Sequence, residues 1–186
     1  MQTERPTLET ARLVLRPFRK DDGPRIRELA GEREIAANTL DMPYPYEEGM
    51  AEEWIATHED DLSKGKTVTF AVTIRDNGEL IGAISISIDK QNSTGELGFW
   101  IGKPYWGGGY CTEAAAAVLR YGFDTWELNK VFARHFAGNP ASGRVLEKIG
   151  MKYEGCLRRH IRKWEHFEDV CHYGILRCEF NNLPPA

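Results

Sequence analysis

The chain has 186 residues, 41% hydrophobic and 28% charged, with a net charge of −4. That length suits one domain with a substantial core, and that composition excludes a disordered or collagen-like chain. An acidic balance without a basic stripe argues against direct nucleic-acid binding, and no apolar run approaches the roughly 18 residues of a membrane span.

Residues 12–18 (RLVLRPF) place Leu13 and Leu15 on one face of a strand. Asp21 or Asp22 can cap a helix with Pro24 in its first turn and Ile26 and Leu29 inward. Residues 39–46 (TLDMPYPY) hold two prolines and two tyrosines and read as a loop. A helix over residues 47–63 follows, with Met50, Trp54, Ile55 and Leu62 on one face and Gly65 as its stop. Residues 68–74 and 80–88 are β-branched strands around the turn Asp76-Asn77-Gly78, a strong hairpin signal. Residues 95–101 add a third antiparallel strand. A helix over 112–125 takes Thr112 as its cap and Glu113 in its first turn. Residues 130–136 form a short strand, and a helix over 139–149 stops at Gly150. Two strands, 153–158 and 170–177, close the chain, joined by a charged, aromatic link over 159–169. The pattern predicts one α/β (α+β) domain over residues 1–186, core about 8–178, with a mixed, mostly antiparallel sheet and helices on both faces.

Residues 95–113 (GELGFWIGKPYWGGGYCTE) carry the chemistry. A glycine turn before a helix lets backbone N–H groups approach an anion. A nucleoside triphosphate site would need a lysine after the glycines, which is missing. A dinucleotide site would need the first turn of a parallel βαβ unit, and here the glycines follow a meander. The pyrophosphate of coenzyme A remains, beside a plain strand-to-helix turn.

The run PYWGGGYCTEAA resembles the coenzyme A loop of the GNAT N-acetyltransferases, [QR]-x-x-G-x-[GA], with Gly109 at the glycine and departures at Trp106 and Cys111. NPASGRVLEKIGMKYEG resembles the segment after the fifth strand in the RimJ/RimL-type subgroup, the ribosomal-protein N-terminal acetyltransferases. ETARLVLRPF and FEDVCHYGIL are similar to that subgroup's ends, so the likeness spans nearly the whole chain in matching order. It implies a six- or seven-stranded sheet splayed between its fourth and fifth strands, with acetyl-CoA in the gap and no metal.

Such a reaction needs a neutral amine, donors for an oxyanion and a proton for a departing thiolate. The resemblance implies that Phe99, Trp100 and Ile101 present backbone groups to the pantetheine arm and that Gly107, Gly108, Gly109, Tyr110, Cys111 and Thr112 grip the pyrophosphate. Asn139 is then a ligand contact and Ser142 the proton donor, although both also suit the first turn of a helix. Glu96 is the candidate base, with His135 as the other proton acceptor; each also admits a structural role, Glu96 as a solvated strand carboxylate or in a salt bridge. Tyr44, Tyr46, Trp100 and Trp164 can wall an acceptor slot, and plain packing is open to each.

The reading is an acetyl-CoA-dependent N-acetyltransferase acting by direct attack of a primary amine. An α-amine, with pKa near 7.7–8.0 against about 10.4 for lysine, suits a site with weak bases. A peptide or protein N-terminus is therefore the first expectation. A polyamine, aminoglycoside or amino acid is the alternative, and a non-catalytic acyl-CoA-binding module stands further off. Four cysteines without CxxC spacing read as free thiols of a cytoplasmic protein, no histidine cluster has metal-ligand spacing, and the exposed aromatics leave room for a homodimer.

Overall fold

The computed structural model describes residues 5–182. The chain runs β1 (Leu8–Glu9), β2 (Leu13–Arg16), α1 (Gly23–Ala30), α2 (Arg33–Asn38), α3 (Met50–Ser63), β3 (Thr67–Ile74), β4 (Leu80–Asp89) and β5 (Thr94–Ile101). It continues through α4 (Tyr110–Trp126), β6 (Lys130–Phe136), α5 (Pro140–Lys148), β7 (Lys152–Lys163), β8 (His166–Leu176) and α6 (Arg177–Phe180). The strands form one sheet in the order β1-β2-β3-β4-β5-β6-β8-β7, antiparallel throughout except for β5 beside β6.

Side-chain alternation along the central strands builds two cores. Phe70, Val72, Ile84, Ile86 and Leu97 point to one face and pack with Val118, Leu119 and Phe123 of α4. Ala71, Leu80 and Ala83 point to the other and meet Phe18, Ile26, Ala51 and Ile55, which belong to α1, α3 and the segment before them. Arg16 grips Asp22 with two parallel bonds of 2.8 Å, and this pins the start of α1 to β2. Among the described residues no helix is long and apolar enough to cross a membrane.

The structure corrects three local expectations and adds one helix. The sheet has eight strands rather than six or seven, because Leu8 and Glu9 pair with Leu15 and Val14. Residues 159–169 are not a link but the outer half of a long β7–β8 hairpin, with Ile161 opposite Glu168 and Lys163 opposite His166. That half stands clear of the core, so its sequence carries no apolar face to announce a strand. The helix α4 begins two residues before Thr112: Gly109 is its cap residue with φ 79°, a left-handed conformation that costs glycine little. The short helix α2 had no sequence signal of its own.

One feature places the site. The parallel ladder between β5 and β6 holds three pairs, Thr94–Lys130, Gly95–Val131 and Glu96–Phe132, and then stops. β5 goes on against β4 as far as Ile101, and β6 goes on against β8 as far as Phe136. Past Glu96 the two strands part, the splay expected between the fourth and fifth strands of the sequence reading.

Candidate active site

The glycine turn is built from backbone. At the end of β5 the Trp106 indole N–H donates to the Ile101 carbonyl at 2.6 Å, which fixes the chain as it leaves the strand. Gly107 and Gly109 take φ of 77° and 79°. The first bond inside α4 runs from the Glu113 N–H to the Gly109 carbonyl, so the N–H groups of Tyr110, Cys111 and Thr112 have no helical partner. A helix of 17 residues adds its dipole to those donors.

The turn is fastened from behind. Arg12 donates through Nε to Glu113 at 2.7 Å and through Nη1 to the Gly108 carbonyl at 2.9 Å, and its guanidinium lies 4.6 Å from the Tyr110 ring centre. Thr10 and the Arg12 backbone N–H also donate to Glu113, at 2.7 and 2.8 Å. Burial pulls the Glu113 carboxyl upward, but the bonds from Thr10 and Arg12 outweigh it and hold it below its ordinary value.

Two cavities meet at the splay. One, of about 340 Å³, is lined by Phe99, Trp100, Ile101, Gly107, Gly109 and the first turn of α4 from Tyr110 to Thr112, with Asn139 and Ser142 across from them. Arg144 and Lys148, four residues apart on α5, line it too, and among the described residues neither has an ion-pair partner. The other, of about 510 Å³, lies on the opposite face of the sheet, between residues 38–43, Tyr46 and Trp54 above and Ser85, Ser87, Glu96 and Arg134 below. Asn38, Thr39, Phe99, Trp100 and Ser142 line both.

Ser142 therefore stands at the junction. Asn139 caps α5 by accepting from the Ser142 N–H at 3.3 Å, and its Nδ2 donates to Ser142 Oγ at 3.0 Å. The hydroxyl is thus used as an acceptor, and its own O–H is left to donate. The cap of α5 and the lining of the smaller cavity coincide in these two residues. Glu96 accepts from Arg134 Nε at 2.7 Å through Oε1. His135 is buried at 8% exposure, with Nδ1 2.8 Å from the Phe136 carbonyl and Nε2 unpartnered toward Gly143. Burial pushes the Cys111 thiol up to about 12, which makes it a neutral lining group and not a nucleophile.

A family model for the acetyltransferase (GNAT) domain matches residues 12–152. The chain belongs to the GNAT acetyltransferase family. It is 33% identical to an uncharacterised N-acetyltransferase, YnaD, of Bacillus subtilis (strain 168) over 94% of this chain and 99% of that one. In fold it is similar to RimL, a ribosomal L7/L12 alpha-N-protein acetyltransferase in complex with coenzyme A (TM-score 0.84, 17% identity, 92% and 98% of the two chains). It is also similar to a spermidine N-acetyltransferase from Vibrio cholerae in complex with CoA and spermine (TM-score 0.79, 22% identity, 93% and 100%). These two likenesses show the fold and leave the acceptor of this GNAT acetyltransferase open.

Not every expected site residue reaches the GNAT clefts. Tyr44 is 45% exposed and packs on Trp164 with ring centres 5.9 Å apart, so neither ring lines the larger cavity. Gly108 stands behind the turn with its carbonyl on Arg12. Tyr46, Trp100 and His135 do line that cavity. Arg134, Arg144, Lys148, Ser85 and Ser87 are lining residues that the sequence reading missed. The four-residue spacing of Arg144 and Lys148 on a helix that opens at Asn139 was a usable signal; the others needed the strand register. Among the described residues no group of three or more His, Cys, Asp or Glu side chains is placed to hold a metal.

Proposed function

We propose that this GNAT acetyltransferase carries an acetyl group from acetyl-CoA to the N-terminal α-amine of a peptide or protein. The observation that carries the reading is the meeting of two cavities at Ser142, one edged by unpaired backbone donors and the other by side chains. The smaller cavity fits a pyrophosphate-bearing ligand. It combines left-handed glycines at 107 and 109, the open N–H groups of Tyr110, Cys111 and Thr112, and the two unpaired cations Arg144 and Lys148. When bound, acetyl-CoA supplies an acetyl group activated as a thioester. The unpaired edge of β5 past Glu96 offers backbone groups to a pantetheine arm, and Asn139 reaches the same space.

Ser142 holds a proton at Oγ with no acceptor among the described residues, which suits donation to a leaving thiolate. Glu96 spends Oε1 on Arg134 and keeps Oε2 for the ammonium of an acceptor or for a water that relays its proton. Arg134, which lines the larger cavity, spends Nε on that pair, and its Nη groups have no hydrogen-bond partner among the described residues. A free guanidinium edge suits a carbonyl or carboxylate close to the reacting amine, as in a peptide, and repels a polycation. A small polyamine is the second reading, and Asp41 in the same wall favours it.

The test is thiol release from acetyl-CoA. A short peptide with a free N-terminus should drive release and the same peptide with a blocked N-terminus should not. Release with spermidine and not with the peptide would move the assignment to a polyamine.

A further inference from the structure

The larger cavity owes its outer wall to residues 39–46, a stretch with no helix or strand. Thr39, Leu40, Asp41, Met42, Pro43 and Tyr46 line the space. Among the described residues, no backbone-to-backbone hydrogen bond reaches the main chain of residues 40–46. Two bonds from a side chain do. Lys163 Nζ donates to the Leu40 carbonyl at 3.2 Å and to the Met42 carbonyl at 3.1 Å.

Lys163 ends β7, more than a hundred residues along the chain, and is 8% exposed. A buried ammonium is costly unless its donors are satisfied, and here two carbonyl oxygens accept from it; burial still lowers its pKa from the ordinary lysine value, with the nearby Asp41 carboxylate offsetting part of that. Its neighbour Trp164 sits at the hairpin tip with φ 51°, a left-handed conformation unusual for a bulky residue. The indole is held between Tyr44, at 5.9 Å between ring centres, and Arg33, at 5.1 Å. The tip thus touches the loop and α2 at separate points. Lys163 lines neither cavity, so whatever it does for an acceptor it does through the loop.

We propose that Lys163 is a positioning residue. It holds the carbonyls of Leu40 and Met42 and so sets the shape of the acceptor cavity, which makes the β7–β8 hairpin a determinant of the acceptors that fit. This rests on the larger cavity being the acceptor side. A loop with so few bonds of its own samples many conformations, and a wall fixed beforehand spares the acceptor the cost of ordering it.

The test pairs kinetics with a readout that needs no turnover. Lys163→Met keeps the aliphatic stem and removes the donors. It should raise the acceptor KM about tenfold, leave the acetyl-CoA KM within about twofold, and speed chymotryptic cleavage within residues 39–46. Lys163→Arg, which keeps a buried cation with donors, should recover most of the acceptor KM. Lys163→Gln, which keeps a single donor group, should fall between and serves if the methionine variant fails to fold. An unchanged acceptor KM with unchanged cleavage would overturn the proposal, as would a parallel rise in both KM values with no recovery in the arginine variant. If the unsubstituted protein acetylates no amine, the reading of the cavity fails, while the cleavage comparison still judges the strut.

Discussion

The two sides of the splay are held in opposite ways. The glycine turn is fixed densely and from several residues: Arg12, Thr10 and Glu113 tie its helix to the β1–β2 turn, and Trp106 ties its entry to β5. Among the described residues, the main chain of the loop between Leu40 and Tyr46 takes two hydrogen bonds, both from one distant lysine. A ligand gripped by backbone N–H groups needs a turn whose φ and ψ do not wander. An acceptor gripped by side chains needs only a wall of the right outline, and that wall can be braced from elsewhere in the chain.

Ser142 belongs to both sides, and its loss should have the largest effect. Ser142→Ala should lower kcat by roughly 10²-fold while acetyl-CoA binding, measured by calorimetry, stays within a few-fold. Unchanged turnover would strip the residue of its role and leave the junction without an acid.

The side of the larger cavity should also be the acid-sensitive one. His58 on α3 is buried against Phe18 and Trp54, its ring nitrogens have no hydrogen-bond partner among the described residues, and burial, with Arg5 nearby, pushes its pKa down to about 4. The unfolded chain takes up this proton below about pH 6.5 and the native state does not. The stability from keeping His58 neutral is complete above that pH and drains away toward pH 4, by about 2 kcal/mol between pH 6.5 and 5. Denaturant midpoints across that range should fall in the native protein and stay flatter in His58→Leu.

Smaller effects sharpen the cofactor side. Glu113→Gln weakens the bonds to Arg12 and Thr10 and should cost about 1–2 kcal/mol of stability together with a several-fold rise in the acetyl-CoA KM. An acceptor KM that rose instead would reverse the contrast between the two sides. Gly109→Ala, forced to hold φ near 79°, should cost about 1 kcal/mol, read as a drop in thermal midpoint.

The same contrast decided what the sequence disclosed. The strand, glycine turn and helix over residues 95–113 were legible because each signal is local: alternation, glycine, an acidic first turn. The cap moved from Thr112 to Gly109 because a left-handed glycine opens a helix as readily as a hydroxyl does. Lys163 was hidden in a segment that read as a charged, aromatic link, and only the hairpin register brings its amine to Leu40. Arg134 was hidden for a related reason, since its pairing with Glu96 depends on how β6 lies beside β5. Tyr44 was misread because an aromatic in a loop advertises contact without saying with what.

The ladder of three pairs between β5 and β6 carries a thermodynamic consequence. Five strands lie on one side of that seam and three on the other, so the sheet is a hinge-like joint between unequal leaves. Any molecule that pairs with the bare edge of β5 while touching Asn139 and Ser142 spans both leaves at once. It then acts as a missing length of strand, and its binding energy reappears as cohesion of the whole fold, growing with the logarithm of its concentration. A rise in melting temperature on adding coenzyme A would report that cohesion before any acetyl group has moved.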